Sequence, residues 1–250
     1  MISTLQTKTQ TPRERTIKRR MKTKNWKLPI VTAFVLALVA GAHAQVTKEQ
    51  QSALTPDKVL ADLMDGNARY VAGKISDPEL KKRITNSADG QYPKAVVLSC
   101  LDSRVPVELV FDQRIGDIFV GRVAGNIEDE DQLGSMEFAT KLAGAKLVFV
   151  LGHSACGAVK GAVDGATLGN LTALLARIKP AVDAVSGFKP GERTSANKEF
   201  VEKVIEQNVR QTMADIRKDS PVLAELEASG KIKIVGGTYD LHTGKVTLLK

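Results

Sequence analysis

Four short apolar runs, at 95–99, 117–120, 146–151 and 231–237, set the limits on what this chain can fold into. Runs of four to eight such residues read as strands buried on both faces. Helical patterns lie between and after them at about 131–143, 156–163, 170–185 and 195–217. A parallel neighbour needs a long crossover connection, usually a helix, so this alternation predicts a parallel sheet. A last short strand at 246–249 follows the turn His242-Thr243-Gly244. The expected fold class is α/β, with a mostly parallel central β-sheet flanked by helices.

Upstream, Thr55-Pro56-Asp57 has the features of a helix start: a capping hydroxyl, proline at the first position and an acid in the first turn. Val59, Leu60, Leu63, Met64 and Tyr70 then repeat on one helical face. Residues 45–54 read as a loose arm or a first helical turn, and the polar stretch 73–91 as a surface connection. Residues 186–193 form a turn-rich loop rather than a domain boundary.

The formal charge of +8 is placed unevenly. Nine of the 36 Lys and Arg residues and one of the 28 acids lie in residues 1–44, leaving 27 of each in 45–250. The remainder is neutral, so its charge gives no argument for nucleic acid as a partner. The leader itself has three parts. A basic stretch ends at Lys27, residues 28–42 are almost entirely apolar or small, and Ala42-His43-Ala44 offers small residues for cleavage. That is the pattern of a secretory signal peptide. Residues 1–44 are therefore expected to be removed, with 45–250 forming the exported domain, in a periplasmic location. Met21 is an alternative start for the leader, and the single tryptophan, Trp26, falls within it.

An exported domain with two cysteines reads first as carrying one disulfide. The surroundings of Cys100 and Cys156 favour another use. Cys100-Leu101-Asp102-Ser103-Arg104 follows the first apolar run, and His153-Ser154-Ala155-Cys156-Gly157 follows the third. In parallel sheets, chemistry gathers at the carboxyl ends of strands. Two thiols, an imidazole and a carboxylate are the ligand types that Zn²⁺ accepts in tetrahedral sites. The C-x-D spacing puts Cys100 and Asp102 on one side of an extended stretch. The H-x-x-C spacing suits two ligands sharing a metal where a strand turns into a helix.

The paired motifs resemble those of the β-class carbonic anhydrases. The resemblance extends over about 50–249: Gly90-Gln91, then 116–122 (GDIFVGR), Gly125-Asn126, Gly134-Ser135 and 152–158 (GHSACGA). It implies reversible hydration of CO₂ to bicarbonate by zinc-bound hydroxide, with one Zn²⁺ per subunit held by Cys100, His153 and Cys156. It implies a dyad in which Arg104 holds Asp102, so that Asp102 takes the fourth zinc position only when the pair opens. It further implies substrate contacts from Gln91 and from the backbone N–H of Gly157. The family's site lies at a dimer interface, so Gln91 and Phe119 are expected to serve the neighbouring subunit, in a homodimer or larger homo-oligomer. There are two departures. Phe138 stands where some relatives carry a tyrosine, and residues 45–250 lack the tryptophan that some members use in a regulatory bicarbonate site.

Plainer roles stand beside these. Phe119 also fits a core position, Arg122 a subunit bridge or a solvent-facing charge, and His242 an ordinary turn. Two other functions fit the same metal motifs: hydrolysis of a CO₂-like molecule such as carbonyl sulfide or carbon disulfide, and non-catalytic zinc binding.

Overall fold

The computed structural model describes residues 46–249, so the leader with Met21 and Trp26 lies outside the described residues. The four apolar runs are strands: β1 (Ala95–Ser99), β2 (Ile118–Arg122), β3 (Leu147–His153) and β4 (Lys233–Tyr239), joined by a short β5 (Val246–Leu248). They form one sheet in the order β2-β1-β3-β4-β5. The first four strands are parallel, and β5 runs antiparallel to β4.

Every residue of β1 and β3 is buried, because both faces of the sheet are covered. On one face Ala95, Val97, Leu147, Phe149 and Leu151 pack with Val59 and Leu63 of helix α2 (Pro56–Val71). That helix starts at Thr55 with Pro56 at its first position, as its sequence predicts. On the other face Val96, Leu98, Val148 and Val150 meet Val209 and Ile216 of the long helix spanning Lys198–Asp219.

The sheet order carries the functional consequence. From β1 the chain first moves outward to β2, then returns to lay β3 on the other side of β1. The carboxyl ends of β1 and β3 therefore flank the point where the winding reverses, where crevices form in open α/β sheets. Ser99 pairs with Leu151, so Cys100 emerges level with Gly152 and beside His153.

Several elements depart from the sequence expectation. Residues 45–54 include α1 (Lys48–Ser52), capped by Thr47. The stretch expected to be a surface connection contains α3 (Leu80–Ser87). That helix is anchored by a buried charge rather than an apolar face: Arg83, 2% exposed, pairs with Asp117 at 2.8 Å. A single turn, α4 (Val107–Val110), precedes β2. The helix expected at 131–143 is α5 (Glu130–Glu137), which widens into a π turn over Phe138–Leu142. Three helices follow close to their expected spans: α6 (Gly157–Val163), α7 (Gly169–Ala184) and α8 (Lys198–Asp219). Sequence reasoning passed over α9 (Pro221–Ala228), although Ser220 and Pro221 give it a regular start. No helix among the described residues is long and apolar enough to cross a membrane.

Gly152 sets how closely α8 lies on the sheet. A Cβ there would stand 2.6 Å from Val209 Cγ2, and Val209 is fully buried. Gly152→Ala is therefore expected to destabilise the protein by about 1–3 kcal/mol through overpacking. Urea unfolding would show it; a midpoint equal to that of the wild type would mean that α8 moves aside freely.

Asp112 ties α2 to the segment after α4. It accepts hydrogen bonds from Arg69 Nε (2.5 Å), Ser76 N–H (2.8 Å) and Ser76 Oγ (2.9 Å). Burial alone would raise its pKa, but Arg69 and Ser76 outweigh burial and leave it below the ordinary carboxylate value. A carboxyl depressed in the folded state adds stability above the unfolded pKa of about 3.9 and loses it as pH falls through the folded value. Asp112→Asn is thus expected to be less stable than wild type at pH 7, with the gap closing toward pH 2. A gap as large at pH 2 as at pH 7 would contradict this.

Candidate metal centre

Three side chains converge at the crevice. Cys100 follows β1, His153 ends β3, and Cys156 precedes α6; they are 4%, 0% and 1% exposed. Their ligand atoms all lie within 4.8 Å of one another. The two sulfurs are 4.0 Å apart and both cysteines are free. A disulfide needs about 2.05 Å. Two sulfurs each about 2.3 Å from one tetrahedral ion stand roughly 3.8 Å apart. The spacing therefore matches a shared cation.

The imidazole fits the same purpose. His153 Nδ1 lies 3.0 Å from the Ser154 carbonyl oxygen, which makes it the protonated nitrogen. That leaves Nε2 with a free lone pair, and Nε2 is buried without a hydrogen-bond partner. An orphaned acceptor beside two thiols is costly unless a ligand completes it. The donor set fits zinc.

The thiols are electrostatically unequal. A hydrogen bond from Cys156, aided by the Gly125 N–H, outweighs burial and pulls the Cys100 thiol down from its ordinary value. The Gly125 N–H donates to Cys100 Sγ at 3.4 Å. The same pairing with Cys100, together with burial, pushes the Cys156 thiol up. A second thiolate so close to the first is stable only with a cation between them.

Asp102 stands at the edge of this group. Its Oδ2 is 3.8 Å from His153 Nε2. Arg104 grips the carboxylate three times: backbone N–H to Oδ1 at 2.9 Å, Nε to Oδ1 at 2.9 Å, and Nη2 to Oδ2 at 2.7 Å. Those bonds hold its pKa well below the usual carboxylate range. Of the four expected metal ligands, Cys100, His153 and Cys156 form the compact group, whereas Asp102 is turned to Arg104.

Arg122 departs from the reading of a solvent-facing charge. It does more than face water. Its Nε donates to the Cys100 carbonyl (3.1 Å) and its Nη2 to the Asp102 carbonyl (2.5 Å). It thereby braces the turn that carries a thiol and the carboxylate. Position 122, at the end of β2 and level with Ser99, is what allows that reach.

The loop between His153 and Cys156 is under local strain. Ala155 has φ +56°, a left-handed conformation that costs a non-glycine residue roughly 1–2 kcal/mol. Three bonds hold the loop there. Ser154 N–H donates to the Tyr239 carbonyl (2.9 Å), Leu241 N–H to Ser154 Oγ (2.9 Å), and Ala155 N–H to Glu202 Oε1 (3.1 Å).

The family profile described as "Carbonic anhydrase" matches residues 95–246. The chain belongs to the β-carbonic anhydrase family. It is 38% identical over 192 residues to a carbonic anhydrase of Mycolicibacterium smegmatis, covering 74% of this chain and 89% of that one. It is 37% identical over 191 residues to carbonic anhydrase 2 of Mycobacterium tuberculosis, with the same coverage. Among solved structures, it is similar to tetrameric β-carbonic anhydrases of the ascomycete Sordaria macrospora. There the TM-score is 0.59 and the identity 25%, over 76% of this chain and 96% of that one. A Coccomyxa β-carbonic anhydrase in complex with acetazolamide shares the fold, with a TM-score of 0.61 and 23% identity over 76% of this chain and 86% of that one.

Within this carbonic anhydrase, the remaining expected residues scatter. Gly157 opens α6 beside Cys156, exposed and with open space where a Cβ would stand. Gln91 is exposed in the loop before β1, at the opposite end of that strand from Cys100. Phe119 pairs with Val96 near the start of β2 and packs edge-on against Phe138, with ring centroids 6.3 Å apart. The fold of one subunit thus leaves Gln91 and Phe119 away from its own cysteine–histidine group. His242 lies in a turn fixed by the Asp240 carboxylate, whose Oδ1 accepts its backbone N–H at 2.7 Å.

Proposed function

We propose that this chain catalyses CO₂ + H₂O → HCO₃⁻ + H⁺ in both directions, with zinc held by Cys100, His153 and Cys156. The observation that carries this reading is two sulfurs 4.0 Å apart beside a partnerless imidazole nitrogen, with a carboxylate–guanidinium pair at the edge. A bound zinc ion supplies Lewis acidity that brings the ionisation of water toward neutral pH, tempered here by two thiolates.

The chain's own residues do the rest. Arg104 grips the Asp102 carboxylate and so keeps it from occupying the position where water must enter. Asp102 retains acceptor capacity on the side facing His153 Nε2, 3.8 Å away. A water molecule donating its proton there has its lone pair turned toward CO₂. When the Asp102–Arg104 pair opens, the carboxylate takes that position and closes the site. The Gly157 N–H, next to Cys156, suits the anionic oxygens of bicarbonate. Solution buffer carries the released proton.

A homo-oligomer completes this picture. β2 is the outer strand of the sheet, and near it Phe138 and Leu142 are 51% and 76% exposed. A second copy covering that edge would bring its own Gln91 and Phe119 to this subunit's crevice. The solved Sordaria relatives are tetramers. The basic, apolar and small-residue pattern of 1–44 supports export to the periplasm before the domain acts.

Stopped-flow hydration of CO₂, with zinc content measured on the same sample, tests the reaction. Cys100→Ala and His153→Ala are expected to lose metal and activity together. Arg104→Ala should keep its zinc and lose at least about tenfold in kcat/KM, the loss expected when an orienting contact is removed. Full activity in Arg104→Ala would remove the dyad from the mechanism, and a zinc-loaded wild type inert toward CO₂ would remove the reaction.

Sedimentation equilibrium is expected to give a mass of at least two chains at micromolar concentration. A stable monomer with full activity would exclude a site completed by a neighbour.

A further inference from the structure

Glu202 lies on the second turn of α8, whose neighbouring residues Val201 and Ile205 are buried against Cys156 and Val159. It is half-buried and 47 positions from the loop it touches. Its Oε1 accepts the Ala155 N–H at 3.1 Å. Ala155 is the residue with φ +56° between the two donors of the second motif. A left-handed residue at that position turns the chain sharply enough for His153 and Cys156 to face the same point. Alanine has no preference for that conformation, so something outside the loop must hold it. Tyr239 and Leu241 hold Ser154 from the strand side, while Glu202 holds Ala155 from the helix side.

The carboxylate is available for this task. Glu202 lines a cleft of about 340 Å³ with Ala155, Lys160, Lys198, Asp240 and His242. A charged acceptor aimed at one peptide N–H makes a stronger bond than a neutral one. The helix that carries it is fixed against the sheet by the close approach at Gly152.

We infer that Glu202 is a positioning residue: its hydrogen bond to the Ala155 N–H fixes the left-handed turn that brings His153 and Cys156 onto one metal ion. This rests on the metal centre proposed above and deepens it. Residues that orient metal ligands typically change metal affinity by about 10–100-fold when removed.

The test compares Glu202→Ala, Glu202→Asp and Glu202→Gln in the whole protein, reading zinc affinity by chelator competition and the sulfur-to-cobalt absorption of the Co²⁺-substituted form. Alanine has no acceptor, and aspartate keeps the charge but is one methylene too short. Both are expected to bind zinc about 10–100-fold more weakly and to show an altered cobalt spectrum. Glutamine keeps an oxygen at the right reach but not the charge, and is expected to lose only a small part of what alanine and aspartate lose. Wild-type affinity and spectrum in the alanine and aspartate variants would overturn the inference, as would a glutamine variant as weak as they are. Should the alanine variant fail to fold, the contrast between aspartate and glutamine decides alone. A wild type that takes up neither zinc nor cobalt would instead overturn the metal centre itself.

Discussion

The site depends on one pairing, the parallel register between β1 and β3. Ser99 opposite Leu151 brings the chain leaving β1 level with Gly152, and places a thiol beside an imidazole across two neighbouring strands. A slip of one residue would send each side chain to the opposite face of the sheet. Burial guards against such a slip. Both strands are apolar on both faces, and α8 seats on Gly152 and Gly236, where a Cβ would come within 2.6 Å or 2.5 Å of Val209. The hydrophobic core therefore sets the geometry of the polar site. The strand that ends in His153 needs a glycine just before it for the same reason.

How much of this could be read from the sequence depends on where each signal resides. The strands at 95–99 and 146–151 were legible because full burial writes itself as continuous apolar residues. The ligand group was legible because two matching motifs fell at the ends of two strands; a lone cysteine or histidine there would read as core. Helix α3 was hidden because its anchor is Arg83, a residue type that ordinarily marks surface; its pairing with Asp117, 34 positions away, helps make burial tolerable. Arg122 was seen, but its task was not, since the acceptors are backbone carbonyls that no side-chain pattern reveals. Glu202 left no signal at all. It is an ordinary acid on an amphipathic helix until the fold sets it against a strained alanine.

The three converging donors and the dyad are built in opposite ways, and the difference suits what each is proposed to do. Cys100, His153 and Cys156 are buried, and their backbones are fixed by a strand end, a helix start and a brace from Arg122. Ligands held this way lose little freedom when a cation arrives, which favours tight binding. Arg104, by contrast, is 58% exposed, and only its bond pattern holds Asp102. Asp102 is only 15% exposed, so the pair meets water mainly on its guanidinium side. On the proposed reading the carboxylate exchanges the guanidinium for the fourth position, while the three buried donors stay in place. That reading needs one part that moves within a fixed frame, and the exposed Arg104 side chain at the end of the turn at 100–104 is where this fold leaves room for movement.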